Sequence, residues 1–161
     1  MVNSSWRDLP EPARGIAEAT GDAVRAARAA DDDAYREATA RLAAAEPEQV
    51  GIVTGAAVRL LLEDTHPDGL TADDLRAVLT RCVTSAVWFT ALDPTVPGIL
   101  VAGALGVHES DGERLPLTGP AVAAHAPLLL ASLATGAEHP LEVYLRAALA
   151  DIERAETMEM P

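Results

Sequence analysis

A chain of 161 residues with a formal net charge of −13 and no lysine excludes several kinds of chemistry at the outset. All 12 basic residues are arginine, so no lysine can form a Schiff base, anchor pyridoxal phosphate or serve a phosphate-binding loop. The 25 acidic residues repel nucleic-acid phosphates and anionic membranes, so we expect no nucleic-acid partner and no membrane partner.

The only cysteine and the start of the chain point to a reducing compartment. Cys82 has no second cysteine with which to form an intramolecular disulfide. The first residues lack a basic cluster followed by an apolar stretch, so we expect no signal peptide. The longest apolar run, residues 96–107, is interrupted by Pro97 and is too short to span a bilayer. These features predict a cytoplasmic protein.

Apolar residues recur with the spacing of α-helices, and no segment alternates with the period of a β-strand. We predict an all-α fold, an irregular bundle of about seven helices, forming a single helical domain over residues 1–161. Residues 1–46 are expected to form an N-terminal αα-hairpin, and residues 47–157 the main bundle. The hairpin helices, about 12–30 and 31–45, have inner faces made mostly of alanine. We therefore expect the hairpin to lean on the remaining chain or on a partner.

Glycines mark two of the predicted helices. The third helix, from Pro47 to about Asp64, carries Gly51 and Gly55 one turn apart on one face. The fifth, over about residues 93–107, contains Gly103 and should be the most buried helix, crossing that face. Small residues at this spacing favour a close helix crossing. The alternative is a ligand that lies against the bare backbone.

The remaining helices are predicted over about residues 72–92, 120–135 and 139–156. Thr71 is the expected N-cap of the helix over about residues 72–92, and Asp74, three residues later, is placed to complete a capping box. Pro127 is expected to kink or split the helix over about residues 120–135, because its ring displaces the preceding turn.

The predicted fourth helix becomes apolar on every side near its end, at Val87, Trp88 and Phe89. A helix that is apolar all round is buried all round. This end is therefore either central in the bundle or part of a contact with a second subunit or a ligand. If the chain forms a homodimer, we expect Trp88, Phe89 and the first hairpin near the contact.

Residues that could carry chemistry show no established motif. No two histidines are three or four residues apart, and there is no Cys-x-x-Cys. The segment His108–Glu113 would bind a divalent cation if it folded round one, and a solvated acidic loop is the alternative. His125 and Cys82 lie in apolar helices, which favours a hydrogen-bonded core histidine and an inert buried thiol. We predict no cofactor and no catalytic residue.

The absence of a catalytic motif favours a non-enzymatic function. We predict a protein–protein interaction or adaptor module that self-associates as a homodimer. The alternative is a small-molecule-binding sensor domain with an apolar pocket, with Arg59 or His125 as polar handle. The pocket would lie between glycine-lined helices and include Gly51, Gly55, Arg59, Gly103 and His125. A third hypothesis is an enzyme that uses carboxylates with His108 or His125 as acid or base.

Overall fold

A computed structural model describes residues 6–107 and 117–159, and these form seven packed α-helices without a strand. This confirms the all-α fold class and the N-terminal hairpin, which is formed by α1 and α2. Within the described residues, no helix has the length and apolar content needed to cross a membrane. The helices are α1 (Ala13–Arg28), α2 (Asp32–Ala44), α3 (Pro47–Thr65), α4 (Ala72–Ser85), α5 (Val96–Ala104), α6 (Gly119–Thr135) and α7 (Leu141–Glu159).

Side-chain caps begin three of these helices. The side chains of Asp31, Thr71 and Thr118 each accept a hydrogen bond from a backbone N–H three residues further on. Asp74 returns the bond, because its carboxylate accepts from the backbone N–H of Thr71 at 3.0 Å. The predicted capping box is thus confirmed.

The most buried helix is α6, so the prediction that α5 would be the most buried is wrong. Ten of the 17 residues of α6 are buried, against three of nine in α5. Helices α1 to α5 all pack against α6. Pro127 lies inside α6 and does not split it.

The hairpin leans on α6, which is one of the two outcomes expected for its alanine face. Ala23 of α1 and Ala38 of α2 are buried there. Tyr35 of α2 is fully buried, and its hydroxyl donates a hydrogen bond to the backbone carbonyl of Ala124 in α6. This bond and the ring of Tyr35 join the hairpin to the rest of the bundle.

Helix α4 ends at Ser85 rather than near Leu92 as predicted. Two side chains satisfy carbonyls at its end: the Trp88 indole N–H donates to the Ser85 carbonyl at 3.0 Å, and the Ser85 hydroxyl donates to the Cys82 carbonyl at 3.1 Å. The chain then continues through successive turns. These turns bring the adjacent rings of Trp88 and Phe89 to 5.2 and 5.1 Å from the ring of Tyr35. Two adjacent side chains of an α-helix point about 100° apart and would not both pack against one ring in this way. The turns after Ser85 therefore take the place of the last helical turns that we predicted up to Leu92.

Replacing Tyr35 with Phe tests the link between the hairpin and α6. The variant keeps the ring contacts but removes the donor to the Ala124 carbonyl, so we expect the free energy of unfolding to fall by about 1 kcal/mol. Tyr35→Leu, which also removes the aromatic contacts, should lower it further. Urea unfolding measures both, and a Tyr35→Phe variant as stable as the parent would show that the hydrogen bond does not hold the hairpin.

Candidate functional site

A cavity of about 610 Å³, hereafter the glycine groove, lies between α3, α5 and α6. Its walls include the apolar side chains of Ile99, Leu100 and Val122. The structure brings four of the five predicted pocket residues together in this groove, namely Gly51, Gly55, Arg59 and Gly103. Residues from two helices far apart in the chain therefore share one concave surface.

The glycines of this groove do not mark a close helix crossing. A Cβ added at Gly51, Gly55 or Gly103 would meet no described atom within 4 Å. By contrast, a Cβ at Gly119 would lie 3.2 Å from the Cβ of Pro47, so that glycine does permit close packing. The expected close crossing between α3 and α5 at these glycines is wrong, and their backbone borders open space among the described residues.

The rim of the glycine groove combines a charge with an exposed apolar side chain. Ile52 is 43% exposed although it is a large apolar residue. Arg59 lies 3.9 Å from Glu63, one turn further along α3, and both side chains are exposed. Exposed pairs of this kind hold weakly, so the Arg59 guanidinium is able to turn towards a bound molecule.

His125 is absent from the glycine groove and serves the structure instead. The backbone N–H of Asp93 donates to its Nε2 at 2.9 Å, so that nitrogen must be an acceptor. Nδ1 therefore carries the proton and donates to the Ala121 carbonyl, also at 2.9 Å. Because both nitrogens of this buried ring are engaged, His125 is a hydrogen-bonded core histidine that secures the segment before α5 to α6.

The three residues predicted for a subunit interface have different surroundings. Phe89 is buried against Tyr35, and Trp88 is partly buried. Val87 is 78% exposed. Of the three side chains, only Val87 is largely free for contact with a second subunit, and the homodimer stays a prediction.

A second cavity of about 780 Å³, hereafter the arginine cleft, lies between the C-terminal ends of α1 and α4 and the side of α6. Arg28, Arg81, Trp88 and Leu128 are among the residues that line it. Sequence analysis missed this cleft because its two arginines are far apart in the chain and belong to no motif. Their convergence follows from the way in which α1 and α4 pack on α6.

The described residues do not assemble a metal site or an activated nucleophile. No group of three or more His, Cys, Asp or Glu side chains there is placed to hold a metal ion. The predicted cation-binding segment His108–Glu113 lies outside the described residues. Cys82 is buried, and this burial raises the pKa of its thiol to about 11. The thiol is therefore protonated at neutral pH and is a poor nucleophile.

Comparisons with known proteins do not add a functional assignment. No protein-family model, curated protein or solved structure matches the chain. A helical bundle alone would not assign a function, because one fold supports many unrelated activities. The glycine groove and the arginine cleft are therefore the features of the described residues that bear on function.

Thiol labelling tests the description of Cys82. With a pKa of about 11, the thiol holds on the order of a hundredfold less thiolate at about pH 8 than a free cysteine does. We expect the native protein to react with a disulfide reagent at least that much more slowly than the urea-unfolded protein. Equal rates would contradict a protonated, buried thiol.

Proposed function

We propose that this protein is a non-enzymatic, small-molecule-binding domain that holds an uncharged, largely apolar molecule in the glycine groove. One observation carries the proposal: Gly51, Gly55 and Gly103 border open space, with no described atom within 4 Å of a Cβ at any of them. This is the sensor domain that the sequence suggested as an alternative, in which a bound ligand would change the response of a partner.

The three glycines of the groove are costly to the helices that contain them. A glycine inside a helix costs about 1 kcal/mol of stability relative to alanine. Close packing of a neighbour is the usual reason to keep one, and no described residue packs closely against these three positions. Among the described residues, alanine would fit each position and would favour the helix, so a role outside folding accounts for the glycines best. A ligand lying on the bare backbone provides such a role.

The size and lining of the groove suit the same class of ligand. Small-molecule sites occupy roughly 300–1,000 Å³ and are mostly apolar with a few polar groups. The glycine groove, at about 610 Å³, has Ile99, Leu100 and Val122 in its walls and one charged side chain, Arg59, at its rim. Apolar contact would supply most of the affinity, and Arg59 would orient a carbonyl or hydroxyl oxygen of the ligand.

Self-association, the first prediction from the sequence, is the second candidate. The observation in its favour is Val87, an apolar side chain that is 78% exposed beside the partly buried Trp88. Val87 and Trp88 would form only the edge of an interface, because Phe89 is buried against Tyr35 of the same chain. We propose a cytoplasmic location with either function, because a single unpaired cysteine is ordinary in a reducing compartment.

Binding of phenylnaphthylamine, an uncharged aromatic probe that fluoresces in apolar surroundings, tests the proposed ligand site. We expect Gly55→Leu to raise the Kd about tenfold, equal to about 1.4 kcal/mol, because the new side chain fills the groove. Gly55→Ala should raise the free energy of unfolding by roughly 0.5–1 kcal/mol, because the position is helical and has room for the methyl group.

Gly21→Leu is the matched control, since Gly21 lies inside α1 and outside the groove. A Cβ there would meet only the flexible end of the Arg25 side chain, at 3.8 Å. Its Kd for the probe should equal that of the parent. Equal Kd values in folded Gly55→Leu and Gly21→Leu, or no binding to the parent protein, would contradict the proposal.

Native mass spectrometry of the parent and a Val87→Asp variant tests self-association. If Val87 lies at the centre of a subunit contact, the added carboxylate should shift a dimeric mass towards the monomer, because it would be buried without a partner. A dimer of the parent that persists in the variant would place the interface elsewhere. A monomeric parent would rule out the homodimer.

A further inference from the structure

Arginine side chains without a partner are unusual in this acidic chain. Among the described residues, eight of 11 arginine side chains make an ion pair or a hydrogen bond. The side chains of Arg7, Arg28 and Arg81 make neither with any described residue. Two of these three, Arg28 and Arg81, line the arginine cleft. We propose that this cleft binds a small amphipathic anion, with a carboxylate or phosphate on an apolar body.

The charged end of the cleft fits an oxyanion. A guanidinium offers a planar set of N–H donors that matches the two oxygens of a carboxylate or phosphate. Ser132 also lines the cleft, and its hydroxyl has no hydrogen-bond partner among the described residues. Arg28 and Arg81 add two positive charges to the lining of one cavity, and a bound anion would compensate that charge.

The floor of the cleft explains why the ligand should also carry an apolar body. Ala86, Leu128 and Ala131 line it and are buried. The Trp88 ring forms part of the wall, and its N–H already donates to the Ser85 carbonyl at 3.0 Å. The ring therefore offers an apolar surface rather than a donor. A bare inorganic ion would leave this surface uncovered.

A smaller cavity of about 170 Å³ shares Arg81 and Ser132 with the cleft and also includes His66. The His66 Nδ1 lies 3.1 Å from the Leu62 carbonyl, and Nε2 has no hydrogen-bond partner among the described residues. The polar lining of the arginine cleft thus continues beyond Arg81 and Ser132 into a second cavity.

Helix electrostatics alone would not produce this arrangement. Arg28 lies in the last turn of α1, where the helix dipole favours a cation. That effect accounts for one charge on one helix. It does not account for the second unpartnered arginine, the unpartnered hydroxyl and the apolar floor in the same cavity. The net charge of −13 opposes docking on an anionic bilayer, so the ligand is a free small molecule rather than a lipid headgroup.

Titration with anilinonaphthalene sulfonate, an anionic aromatic probe, tests the site on folded protein. We expect Arg81→Gln and Arg28→Gln each to raise the Kd about tenfold or more. Arg76→Gln is the matched control, because Arg76 lies on the same helix as Arg81, is exposed, and pairs with Asp73 outside the cleft. Its Kd should equal that of the parent, and added salt should weaken the parent's binding.

Phenylnaphthylamine, which has the same rings without the sulfonate and is expected in the glycine groove, separates an effect on the arginine cleft from a general disturbance of the fold. The Kd for phenylnaphthylamine should not change in Arg81→Gln. In a Gly55→Leu background, Arg81→Gln should still raise the Kd for anilinonaphthalene sulfonate. Equal Kd values for the sulfonate in Arg81→Gln and Arg76→Gln would overturn the proposal. An equal loss of affinity for both probes in Arg81→Gln would also overturn it. Sedimentation of the parent with phosphatidylglycerol vesicles that is lost in Arg81→Gln would overturn it as well, because it would indicate a lipid headgroup.

Discussion

The burial of α6 is the constraint on which the rest of the structure depends. With ten of 17 residues buried, this helix must be covered on nearly every side, and α1 to α5 supply the cover. Among residues 6–107 and 117–159, this cover leaves cavities beside α6. Helix α6 lines both of the larger cavities: Val122 and Ala126 line the glycine groove, and Leu128 and Ala131 line the arginine cleft.

Local chemistry explains the parts of the fold that sequence analysis predicted. Helix starts depend on a side chain and an N–H three residues away, so Thr71 and Asp74 identify the start of α4 without knowledge of the fold. The rings of Trp88 and Phe89, just beyond the end of α4, pack against Tyr35, a residue distant in the chain. The apolar pattern of residues 72–92 does not reveal that contact, and the helix was predicted to be too long.

The candidate sites likewise combine features that follow from local spacing with features that depend on contacts between distant segments. Gly51, Gly55 and Arg59 are spaced four apart on one helix, so their shared face follows from the sequence alone. Whether a neighbour fills the space beside them depends on how α5 packs across α3, and there the expectation of close packing failed. Arg28 and Arg81 come from different helices and share only the cavity, so no sequence spacing connects them.

The acidity of the chain bears differently on the two sites. An uncharged molecule in the glycine groove is indifferent to a net charge of −13, whereas an anion approaching the arginine cleft is repelled at long range. At physiological salt this repulsion is screened over about 8 Å, so the charges nearest the cleft dominate once the ligand is inside. Those charges include two guanidinium groups with no described carboxylate paired to them. On the proposal made here for the arginine cleft, recognition of an anion would therefore depend on short-range contact with Arg28 and Arg81, because the net charge of the chain disfavours the same ligand at long range.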